Sequence, residues 1–86
     1  MDNKTTDTDD ATNDHREVGR ALRALRHRAS LTQEALAERS GIDVTYVSQV
    51  ENGRRGVRWH TVMRLLRGLG MSVSDLGAEI DRRQDR

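Results

Sequence analysis

Apolar residues in this chain recur three and four positions apart, and the residues between those runs are ones that start or stop helices. Val18, Leu22, Leu25 and Ala29 form one such stripe and predict a first helix over residues 15–28. Thr32 sits where its hydroxyl can cap a second helix, with Leu31 placed to pack on Leu36. That helix runs to Ser40, and Gly41 is the left-handed residue that ends it. The device then repeats: Asp43 caps a third helix, Ile42 packs on Val47, and the helix closes at Asn52 before Gly53. Trp59, Val62, Leu65, Leu66 and Leu69 supply the inward face of a fourth helix, which places Trp59 in the expected core, and Gly70 closes it. Ser72 and Asp75 make a capping box for a fifth helix reaching Ile80, with Met71 placed against Leu76. No stretch alternates as a strand would. The expectation is an all-α fold, a compact bundle of five short helices in one domain over residues 15–80.

The join between the second and third helices carries the functional reading. Only Gly41, Ile42 and Asp43 connect them, so they must cross steeply as a helix-turn-helix. Such a crossing needs a small residue on the second helix, Ala37, and a β-branched one packing back from the third, Val47. Leu36, Ile42 and Val50 complete the seam, which leaves Val44, Thr45, Ser48 and Gln49 facing outward.

The stretch LRALRHRASLTQEALAERSGIDVTYVSQVENGRRG resembles the lambda-repressor-like helix-turn-helix family, of Cro/repressor and xenobiotic-response-element type. The segment VRWHTVMRLLRGLGMSVSDL continues the likeness through that family's fourth and fifth helices, so it spans residues 18–80. The resemblance implies a homodimer on double-stranded DNA, with the third helix in the major groove. It implies that Thr32 and Gln33 hold the phosphate backbone, where helix N-termini also offer free N–H groups. It puts Val44, Thr45 and Gln49 at base-reading positions; an amide such as Gln49 suits adenine, and Thr45 suits a base edge or a thymine methyl. Val44 departs from the pattern, since many relatives are polar or basic there. Tyr46 and Ser48 are expected on phosphates, and Asp43 and Asn52 bound the same DNA-facing surface. Arg54, Arg55 and Arg58 follow in a loop that in the family runs along the backbone; otherwise it is a solvated, Gly-flanked turn. Val57 stands where relatives often carry Pro. Arg26 and Glu51 match a buried ion pair tying the first helix to the end of the third, unless they are simply two exposed charges. Such a pair fixes geometry more than it adds stability.

Charge refines the picture. The net charge is +1, yet residues 1–14 hold five Asp against one Lys, leaving +5 on the remainder. With almost nothing apolar, residues 1–14 are expected to be disordered, and the charged residues 81–86 to fray. Of the 15 basic residues 14 are Arg, whose fork suits phosphates and base edges, although a coding bias would give the same count. Without Cys there is neither disulfide nor zinc clip, and His15, His27 and His60 lack ligand spacing, so no metal or cofactor is expected. A cytoplasmic location fits the missing Cys and the missing apolar leader. No nucleophile arrangement or phosphate-cradling loop is present, so catalysis is not expected. On the fifth helix, Val73 and Ile80 flank the core residue Leu76 and are the expected dimer contacts. Two other readings share this fold. One is an antitoxin or adaptor holding a partner protein such as a toxin. The other is a controller of a restriction–modification system, which the stretch IDVTYVSQVENG also resembles.

Overall fold

The structure is a computed structural model. It describes the backbone of residues 3–84 and the side chains of residues 15–84. Five helices follow in order: α1 (Asn3–Arg28), α2 (Gln33–Ser40), α3 (Val44–Glu51), α4 (Trp59–Leu69) and α5 (Val73–Gln84), with no strand among the described residues. The helix stops and starts are local. Thr32 Oγ1 accepts from the Ala35 N–H at 3.0 Å and Asp43 Oδ1 from the Thr45 N–H at 2.7 Å. Ser72 Oγ accepts from the Asp75 N–H at 3.1 Å, while Asp75 accepts in return from the Ser72 N–H at 2.7 Å, which closes the capping box.

One core joins all five helices. Ala21, Leu22 and Leu25 of α1, Leu36 and Ala37 of α2, Val47 and Val50 of α3, and four residues of α4 meet Leu76 of α5. Helix α1 packs between α3 and α5, and α2 between α3 and α4. The α1–α3 approach depends on Gly19: a Cβ there would lie 2.1 Å from the Val50 carbonyl oxygen. The seam therefore closes backbone against backbone.

Three expectations about the elements change. The backbone is helical from Asn3, in place of the disordered leader expected over residues 1–14. No Gly or Pro occurs between Asn3 and Val18, and once a helix is nucleated each further residue adds a hydrogen bond. Met1 and Asp2, and the side chains of residues 3–14, lie outside the described residues. At the other end α5 continues through Gln84 instead of fraying at Asp81, because Arg82 and Arg83 reach back to Glu79; Asp85 and Arg86 lie outside the described residues. Trp59, expected in the core, is 61% exposed. It is the first residue of α4, one turn before Val62, where the helix overhangs the edge of the core. Among the described residues no helix is long and apolar enough to cross a membrane.

Candidate nucleic-acid interface

The steep turn between α2 and α3 is set by backbone geometry. Gly41 adopts φ +70°, a left-handed conformation, and its N–H reaches back to the carbonyls of Ala37 and Glu38. Burial of Leu36 and Ala37 on α2 and of Val47 and Val50 on α3 then fixes which side of each helix faces out. Thr45 is exposed, and Ser48 and Gln49 are half-buried beside it. Val44 and Tyr46 are half-buried and pack on the core. The Asp43 carboxylate is engaged as the α3 cap, and Asn52 donates from Nδ2 to Ser48 Oγ at 3.5 Å.

Beneath this face lies a buried charge network. Arg26 Nε donates to Glu51 Oε2 at 2.7 Å and Nη2 to Oε1 at 2.9 Å, a two-pronged pair whose side chains are 9% and 2% exposed. Parallel bonds of this kind fix angle as well as distance. Arg26 Nη1 also donates to the Leu31 carbonyl at 2.9 Å. The hydrogen bond to Glu51 raises the Arg26 pKa above its usual value, against the opposing effect of burial. Gln33 Nε2 donates to Glu51 Oε1 at 3.0 Å. Gln33 was expected on phosphate. Here one N–H of its amide goes to Glu51 and braces α2 against α3. Arg26, Leu31, Gln33 and Glu51 thus link α1, the α1–α2 turn, α2 and α3 through one cluster.

The basic loop is less uniform than its sequence. Arg54 and Arg58 are exposed, and neither lies within ion-pair distance of a carboxylate among the described residues. Arg55, expected along the DNA backbone, lies against α3 in the free protein. Its guanidinium lies 4.6 Å over the Tyr46 ring, and its Nη1 donates to Gln49 Oε1 at 3.1 Å. A cation stacked on an aromatic face loses little mobility when it meets a further partner. The loop itself is seated by the middle of α1. A Cβ on Gly53 would meet Arg16 at 2.7 Å, and one on Gly56 would meet the His15 ring at 2.6 Å. His15 and Arg16 carry no signal for this in the sequence, because the contact depends on how α1 crosses α3.

A second buried carboxylate was also missed. Glu79 of α5 is 4% exposed and is held by Arg28 of α1 at 3.0 Å, by Arg82, and by Arg83 at 3.5 Å. Burial alone would raise its pKa. The hydrogen bond and charge of Arg82, then Arg83 and Arg28, outweigh burial and hold it below the usual carboxylate range. Val73 of α5 is 42% exposed, and Ile80 is half-buried against the core.

The outward face of α3 and its loop therefore offers hydroxyls, an amide and three guanidiniums on a braced scaffold. Such a donor-rich surface suits the acceptors of phosphates and base edges. The comparisons with known proteins agree with that chemistry. The helix-turn-helix domain family matches residues 17–79. The control protein C.MunI of a Mycoplasma species is 35% identical over 65 residues, covering 74% of this chain and 88% of that protein. The crystal structure of the restriction–modification controller protein C.AhdI from Aeromonas hydrophila superposes with TM-score 0.71 at 38% identity, covering 74% of this chain and 97% of that one. The controller C.Esp1396I, crystallised as a tetramer with its natural 35 base-pair operator, superposes with TM-score 0.75 at 25% identity over 79% of this chain and 90% of that one. The chain belongs to the helix-turn-helix family of DNA-binding proteins.

Proposed function

We propose that the protein is a transcriptional regulator that binds double-stranded DNA sequence-specifically, as a homodimer on a palindromic operator, and that it acts in the cytoplasm by binding, without catalysis. The observation that carries this reading is the outward face of α3. There Thr45, Gln49 and the stacked Arg55 stand together above the buried Arg26–Glu51–Gln33 brace. Thr45 and Gln49 read base edges, Val44 adds an apolar contact, and Thr32, Tyr46, Ser48, Asn52, Arg54 and Arg58 hold phosphates. Asp43 contributes by capping the recognition helix. Selection from a random duplex pool tests the reading: it should enrich a palindrome with half-sites about one helical turn apart. On that site affinity should fall roughly 10³–10⁵-fold between 50 and 200 mM salt. No enrichment, or a flat salt response, rejects it.

The pairing surface we propose is α5. Val73 is the cleaner probe, being exposed, whereas Ile80 also packs on the core. Val73→Asp should leave a folded helical monomer with weakened operator binding. Sedimentation that still finds a dimer places the interface elsewhere. A more specific reading, control of a restriction–modification system, is favoured by the similarity to C.MunI and C.AhdI. An endonuclease or methyltransferase gene beside this one supports it; the absence of both counts against it.

A further inference from the structure

Two clefts lie along the seam between α1 and α5, and they differ in charge balance. One is lined by Arg28, Ala78, Glu79 and Arg82 and contains its own counter-ion, since Glu79 pairs with both arginines. The other, of about 370 Å³, is lined by Arg20, Arg23, Ala24, His27 and Arg83, with no carboxylate in its walls. Arg20, Arg23 and His27 stand at i, i+3 and i+7 on the face of α1 opposite the core residues Val18, Leu22 and Leu25. Among the described residues neither Arg20 nor Arg23 has an ion-pair partner, and the carboxylate contact of Arg83 is a long one, 3.5 Å to Glu79. Three guanidiniums around one hollow repel each other, so the hollow favours a polyanion. The recognition helix does not border it: α3 meets α1 at Gly19 and Arg26.

The densest negative charge in the chain is in residues 1–14, with five Asp against one Lys. Within one copy residues 3–14 cannot fold back onto their own cleft, because α1 is continuous from Asn3 to Arg28. Asp9 precedes Arg20 by eleven residues, about 16 Å along a helix axis. From charge complementarity and this geometry, we infer that the Arg20–Arg23–His27–Arg83 cleft docks the acidic segment, residues 1–14, of a second copy of the chain. Docking neutralises both partners and keeps the acidic segment off the Arg54–Arg58 surface. The inference does not rest on the DNA-binding reading and fails or stands apart from it.

The chain has no Cys, so Asp9→Cys in the full-length protein carries a photo-cross-linker at one place. Isotopically heavy and light chains are mixed, irradiated and mapped by mass spectrometry. Docking predicts heavy-to-light links from position 9 into residues 20–27 and 83. Arg20 and Arg23 are exposed, so R20E/R23E should keep its helical spectrum and lose these links about fivefold, as a few surface ion pairs allow. R20Q/R23Q carries the same test if the reversal unfolds the chain. Adding D7K/D10K to R20E/R23E should restore the links. Links confined to one chain, links into residues 54–58, no links at all, or links undiminished in the arginine variants overturn the inference.

Discussion

Among the described residues Glu51 and Glu79 are the two carboxylates buried almost completely, at 5% and 4% exposure, and they are neutralised in opposite ways. The partners of Glu51 come from inside: the guanidinium of Arg26 is itself buried, and Gln33 closes the remaining side. The partners of Glu79 come from solvent, with Arg28, Arg82 and Arg83 side chains 51%, 66% and 35% exposed. An interior pair can relax only by moving helices, so Glu51 sets the angle at which α3 is presented. A carboxylate ringed by long, wet side chains tolerates rearrangement, so Glu79 fastens the end of α5 without dictating orientation. The two sites divide the molecule into a rigid unit around α3 and a more adaptable α5.

Removing one partner from each site should separate the two roles. Arg26→Ala leaves the Glu51 charge buried and unpaired, and urea unfolding should show a loss of about 3–5 kcal/mol. Replacing both members together, Arg26→Met with Glu51→Leu, should recover most of that loss while leaving DNA binding impaired, because packing survives and the fixed angle does not. An equal loss in the single and double variants would mean that the pair stabilises on its own account.

Glu79→Gln should cost less, about 1–2 kcal/mol in the same measurement. Its pH dependence is the sharper test. Because Arg82, Arg83 and Arg28 hold the folded carboxyl low, the unfolded chain takes up the proton first, at about pH 4.3. The contribution of Glu79 is thus full above that pH and fades as pH falls through the lower folded value. Asp75, lowered chiefly by its hydrogen bonds from Ser72, adds a slope of the same sign and is present in both proteins. Stability should therefore fall more steeply with acid in the wild type than in Glu79→Gln. Parallel curves would remove the arginine clamp from the account.

What could be read from the sequence follows the same division. The caps at Thr32, Asp43 and Ser72 and the turn at Gly41 are decided by residues within four positions, so the helix-turn-helix was legible. The Arg26–Glu51 pair was legible because both residues fall at positions of a family pattern. Gln33 was assigned to phosphate because the pattern places it at a helix start; its bond to Glu51 appears only once α2 and α3 have crossed. Trp59 fits the apolar period of α4, but period says nothing about where the core ends along the helix axis. Arg55 sits in a loop, where no periodicity sets direction, and its place on Tyr46 and Gln49 follows from the loop's seat on α1. Glu79 reads as a polar residue between Leu76 and Ile80, and its burial depends on Arg28, 51 residues away.

The central claim is that the outward face of α3 reads DNA sequence, and Gln49 is its most exacting point. The measurement is the base preference of Gln49→Ala against the wild type, each obtained by selection from the same random duplex pool, with affinities on the wild-type site. The account predicts a loss of about 1–3 kcal/mol and relaxed preference at one base position in each half-site. A Gln49→Ala protein that selects the wild-type sequence with unchanged stringency would contradict it.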